Sequence, residues 1–154
     1  MERSELISNP MECVKVPDVQ IKENFFDDIN FIIEQSQKVK YFSDKELSFE
    51  TGNLNSWPGV RSAAFDQSPP LQDLVTYQVN KKFNIGKVSP VYFFHKRTKD
   101  DNQRDWIHKD ASPLALIVYL SKTNLKSGTT FFTESHDQII LDVGFVQNRA
   151  IFFN

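Results

Sequence analysis

A chain of 154 residues, 40% of them apolar and 25% charged, is long enough for one domain with its own hydrophobic core. A net charge of −2 and a pI near 5.9 give no reason to expect nucleic acid or an anionic membrane as a partner. No apolar run approaches the roughly 20 residues of a membrane span. Residues 1–10 lack a signal peptide's order, and Cys13, the single cysteine, cannot form an intrachain disulfide. A cytoplasmic protein is expected. The one skewed number is 14 Phe, which favours the half-buried surfaces of a β-rich core.

In chain order, helices precede strands. Residues 24–39 place Phe26, Ile29, Ile32, Ile33 and Val39 near one helical face, with Asn24 or Asp27 to cap the start. Residues 43–67 are polar, contain the turn Trp57-Pro58-Gly59, and read as a connection. Residues 68–83 form a better-marked helix: Ser68 is a good N-cap, Pro69 suits the first helical position, and Leu71, Leu74, Val75 and Val79 make the stripe. From Lys87 the pattern becomes that of short strands, over 88–95, 104–108, 114–120, 129–133, 139–143 and 145–153. The breaks between them fall at 98–102, 121–128 and 142–144. The near-continuous apolar run 114–120 suggests a central strand buried on both faces.

His95, His108 and His136 are the three histidines. His108 stands in Trp106-Ile107-His108-Lys109-Asp110, where alternation along a strand turns residues two apart to one face. An imidazole and a carboxylate so placed are two-thirds of the 2-His-1-carboxylate face that holds non-haem iron(II). Alone, such a pair also arises as a surface His beside a turn-forming Asp. Three further segments follow it: a strand ending Val118-Tyr119-Leu120-Ser121, then Gly128-Thr129-Thr130-Phe131-Phe132, then Asn148-Arg149-Ala150-Ile151-Phe152-Phe153.

In that order and spacing, residues 88–154 resemble the prolyl-hydroxylase-like branch of the iron(II)- and 2-oxoglutarate-dependent oxygenases. The resemblance implies an α+β chain with a double-stranded β-helix, or jelly-roll. Residues 1–154 would be one domain, with helical support over about 17–84 and the β-helix core over about 87–154. It makes His108 and Asp110 metal ligands facing the barrel interior, with Tyr119 lining the same cavity. Tyr119, His95 and Thr130 become contacts to 2-oxoglutarate; the alternatives are a core aromatic for Tyr119, a plain polar edge residue for His95 and a packing position for Thr130. Trp57 and Arg61, in the turn before the second helix, are candidate substrate contacts from a loop over the barrel mouth, or a core-anchored turn.

The family pattern also needs a second histidine and a following Arg or Lys, expected beyond Asn154. The barrel is therefore expected to be incomplete at its C-terminus, with open sheet edges that favour a homodimer. His136 lies in a turn too early in the chain to replace that ligand. The implied activity is hydroxylation of a small molecule or peptide with iron(II), 2-oxoglutarate and O₂. The chain as it stands is expected to hold iron weakly and turn over no 2-oxoglutarate. A non-catalytic binding or assembly module on the same fold is the alternative.

Overall fold

The run Ala150-Ile151-Phe152-Phe153 has no polar face, and a strand of that kind is stable only between two apolar layers. It occupies that place here. The computed structural model describes residues 18–51, 57–101, 107–110 and 112–154. Cys13, Ser56 and residues 104–106 of the expected 104–108 strand lie outside them.

Strands β1 (Val19–Lys22), β5 (Ala115–Val118) and β8 (Ala150–Phe153) form an antiparallel sheet in the order β1-β8-β5. Val19 and Ala115 both face Phe153, and Lys22 and Val118 both face Ala150. Alternation sends Ala150 and Phe152 to one side and Ile151 and Phe153 to the other. On the first side Phe152 stacks on Phe83 at 5.0 Å, among Phe25, Ile32, Val75 and Val79. On the second, the fully buried Ile151 packs with Tyr119 and Val143, and Phe153 meets Phe131 edge-on at 5.0 Å. The sheet is thus a middle layer, with helices on one face and a hairpin on the other.

The helical layer follows the expected pattern with shifted ends. Helix α1 runs Ile29–Lys38, and its cap is Asp28, whose Oδ1 accepts the Phe31 N–H at 3.0 Å. Neither Asn24 nor Asp27 plays that part: Asn24 is left-handed, with φ of 50°, and Asp27 accepts bonds from Gln78 and Lys81. Helix α2, Asp44–Thr51, was not expected in the polar stretch. It starts with a capping box: the Glu46 N–H donates to Ser43 Oγ, and the Ser43 N–H to Glu46 Oε2. Helix α3, Pro69–Phe83, begins as Ser68-Pro69 indicates. Its buried face is Leu71, Val75, Gln78, Val79 and Phe83, while Leu74 is exposed.

The strands are redistributed. Residues 114–120 are not central: β5 is an edge of its sheet among the described residues, and β8 is the centre, because β1 supplies the second partner. The expected strand 88–95 contributes only to β4, His95–Lys96. The reason is Ser62, whose buried Oγ accepts the Phe94 N–H at 2.9 Å, in place of a backbone acceptor. Strand β4 pairs with β3 (Val60–Ser62), which pairs with β2 (Tyr41–Phe42). Residues 107–110 are not in a strand.

Strands β6 (Asn124–Phe132) and β7 (Ile139–Phe145) form the hairpin, starting earlier and ending later than the expected breaks allowed. Gly144 does not interrupt β7, because it faces Gly128, where a Cβ would lie 2.1 Å from the Val143 carbonyl oxygen. The architecture is α+β with three antiparallel sheets, and no closed barrel forms among the described residues.

The turn from β7 into β8 is fixed by Asn148, buried and left-handed at φ 63°. Its Oδ1 accepts the Phe26 N–H at 2.8 Å, and its Nδ2 donates to the Phe26 carbonyl at 2.9 Å. Its backbone N–H donates to Tyr119 O, and its carbonyl accepts the Phe25 N–H. Asn148→Gly keeps the left-handed backbone but orphans both Phe26 groups, each costing about 1–3 kcal/mol. Urea unfolding is expected to show a loss of about 2–5 kcal/mol. Asn84→Gly, at the exposed left-handed C-cap of α3, should change stability by less than about 1 kcal/mol. Equal effects at the two positions would contradict the bracket.

Candidate functional site

Trp57, Arg61 and His95 are brought together by strands β3 and β4. The turn before β3 needs a glycine: Gly59 has φ of 78°, and a Cβ there would lie 2.3 Å from the Lys96 carbonyl oxygen. That close approach sets the register in which Arg61 faces His95. Cross-strand partners share a face, and Phe93, two residues before His95, falls on it too. The Arg61 guanidinium lies over two rings, 4.3 Å from the Trp57 centroid and 4.6 Å from that of Phe93. Trp57 is buried, as a core-anchored turn requires.

Two polar atoms in this stack are unsatisfied. Trp57 Nε1 and Arg61 Nε are buried, and among the described residues nothing accepts a hydrogen bond from either. Buried donors without acceptors cost about 1–3 kcal/mol each and are rare in folded proteins. Burial pushes the Arg61 pKa below its ordinary value, and the negative charge of Asp110 pushes it back up.

His95 Nε2 donates to the Pro58 carbonyl at 2.7 Å, tying β4 to the turn. Desolvation lowers the His95 pKa; the Pro58 bond and Asp101 oppose that shift, and Arg61 and Arg97 add to it. Beyond β4, Asp101 accepts from Arg97 Nε at 2.8 Å and from the Thr98 N–H at 3.1 Å, closing the charged loop on itself.

His108 and Asp110 converge, with Nε2 and Oδ1 3.3 Å apart. Two neighbouring ligand atoms each about 2.1 Å from one ion stand about 3 Å apart, so the pair fits two positions on a divalent metal. Both side chains are open to solvent, 58% and 43% exposed, where an enclosed pair facing a barrel interior was expected. Without a closed barrel among the described residues, no strand covers them. No third His, Cys, Asp or Glu joins them to make a metal-holding group among the described residues. His136 stands in the turn between β6 and β7, with φ of 61° and its N–H bonded to the Thr133 carbonyl.

Tyr119 is buried on the hairpin side of the central sheet. Its ring stacks on Phe145 at 4.2 Å, and its hydroxyl pairs with Thr129 Oγ1 at 2.6 Å. Burial pushes its pKa up, so the phenol keeps its proton. Thr130 points to the opposite face of β6, where its hydroxyl donates to Asp142 at 2.8 Å. The sequence pattern assigns a site role to neither Thr129 nor Phe93. Phe93 was accessible from the period-2 relation to His95; Thr129 becomes apparent only once β6 is placed against β5.

Family models, curated proteins and solved structures all return no match to this chain. Among the described residues no helix is long and apolar enough to cross a membrane.

The environment of His95 has a pH signature. A histidine whose folded pKa is depressed contributes stability fully above its unfolded value, near 6.5, and that contribution falls as pH drops toward the folded pKa. The wild-type protein is therefore expected to melt lower at pH 5 than at pH 7.5. His95→Gln, which keeps a donor for Pro58, should show a smaller difference in a thermal melt. An equal difference in the variant would mean that the shift at His95 does not contribute.

Proposed function

We propose that the chain carries the scaffold of an iron(II)- and 2-oxoglutarate-dependent oxygenase. On this reading the β1-β8-β5 sheet and the β6–β7 hairpin belong to a double-stranded β-helix. The observation that carries it is the convergence of His108 and Asp110, in the sequence order that resembles this family. The substrate is a small molecule or a peptide, and the protein acts in the cytoplasm. The edges of β1 and β5 are where a second copy would pair.

His108 and Asp110 would hold the iron, as a neutral imidazole and a carboxylate. When bound, iron(II) with 2-oxoglutarate and O₂ supplies hydroxylation of a C–H bond, with release of succinate and CO₂. Tyr119 is suited to a cosubstrate carboxylate because its buried phenol remains a neutral O–H donor. His95 and Thr130 are the further cosubstrate contacts that the resemblance implies, but Thr130 lies on the face of β6 opposite Thr129, the partner of Tyr119, so it does not share a slot with that phenol.

A second reading, a non-catalytic binding module on the same fold, is favoured by one observation: only two candidate ligands meet among the described residues.

Anaerobic calorimetric titration with iron(II) separates the two. The oxygenase scaffold is expected to bind iron weakly, with water completing the coordination. His108→Ala and Asp110→Ala should each weaken binding about tenfold or more, and His136→Ala should leave it unchanged. Binding that is absent, or indifferent to His108 and Asp110, would favour the module. Tight binding with succinate release would instead require a third ligand within the chain, and the His136→Ala and His95→Ala variants would identify it.

A further inference from the structure

The Trp57–Arg61–Phe93 stack is more than an anchored turn. An arginine that only packs normally gives its donors to carbonyls or carboxylates nearby. Here none of the three guanidinium nitrogens has a hydrogen-bond acceptor among the described residues. The guanidinium lies over two aromatic rings, at 4.3 and 4.6 Å, contacts that leave its N–H donors unpaired. The stack also holds the plane rigid, which removes the flexibility cost of presenting a planar fork. The Trp57 Nε1 beside it also lacks an acceptor among the described residues, but it is buried away from any incoming ligand.

We infer that this stack is a binding site for a carboxylate, taken by the Arg61 guanidinium where it lies over the Trp57 and Phe93 rings. A carboxylate is planar and accepts two parallel N–H bonds, which suits the two terminal nitrogens of an arginine with no acceptor of its own among the described residues. Asp110, whose charge reaches Arg61, disfavours a dianion such as phosphate more than a singly charged carboxylate. The clamp stands on its own geometry. The additional statement that its carboxylate belongs to the hydroxylated substrate rests on the oxygenase reading. Such a substrate would be an acid, such as an amino acid or an acidic peptide, held beside the candidate metal ligands.

The test uses Trp57 fluorescence in a Trp106→Phe background, which leaves one indole. Sodium propionate, 2-oxoglutarate and inorganic phosphate are titrated at matched ionic strength without metal. A saturable change with propionate is expected, weakened about tenfold or more in Arg61→Gln and also weakened in Arg61→Lys, which keeps the charge but not the fork. Asp110→Asn removes a competing charge and should tighten propionate binding several-fold. That variant keeps the test decisive if circular dichroism shows Arg61→Gln to be unfolded. The clamp is overturned by no saturable change, by equal binding in a folded Arg61→Gln, or by Asp110→Asn failing to tighten it. Phosphate binding tighter than propionate would reassign the site to phosphate. If 2-oxoglutarate binds more than about tenfold tighter than propionate, the stack is a cosubstrate slot and the substrate assignment fails. Propionate binding in a protein that holds no iron would keep the clamp and discard the oxygenase.

Discussion

Everything in this fold depends on how Asn148 joins the chain's early residues to its late ones. The segment before α1 carries Phe25 and Phe26, buried side by side with ring centroids 4.8 Å apart. Burying two aromatic side chains also buries the backbone between them, and those N–H and C=O groups need partners. Asn148 supplies most of them, with its amide to Phe26 and its carbonyl to Phe25. Only a residue with a donor and an acceptor on one planar amide, and tolerance for the left-handed region, can do this. The same residue turns the chain into β8, so the helical layer and the central sheet share one joint.

The candidate chemistry sits on loops and short strands held by that core, an arrangement in which a rigid scaffold positions accessible groups. Strand β3 provides Arg61, β4 provides His95, and the loop residues 107–110 provide the His108–Asp110 pair. Their charges are interdependent. Asp110 offsets part of the desolvation felt by Arg61, and Arg61 disfavours protonation of His95. Tyr119 and Thr129 form a separate polar pair inside the second core, shielded from these charges by burial and engaged with each other.

Local signals in the sequence were read correctly where the physics is local. Ser68-Pro69 marks the start of α3 because a proline at the first helical position needs no N–H partner. The Ser43/Glu46 capping box was equally present in the sequence, but α2 has too weak an apolar stripe to draw attention to it. The exchange of roles between β5 and β8 has a different origin. Both are apolar runs, and which lies in the middle is decided by β1, whose residues Val19-Gln20-Ile21-Lys22 alternate as a strand does but are too few to stand out. For the site, the short spacing of His108 and Asp110 made their meeting legible. The stack on Arg61 was not, since it requires the pairing of β3 with β4 across more than thirty intervening residues.

The central strand also sets the order of events during synthesis. Its partner β1 pairs Val19 with Phe153, so the first of the described strands waits for the last of them before its sheet can form. At about 5–20 residues per second, a ribosome needs on the order of ten seconds to cover that interval. Throughout it, β1 has an unpaired backbone, and Phe25 and Phe26 lack the Asn148 that will satisfy them. Helix α3 and the local contacts of β2 and β3 can form meanwhile, because their partners are close in sequence. The nascent chain therefore presents apolar, unpaired surface for seconds, a species that chaperones which hold extended segments are suited to bind.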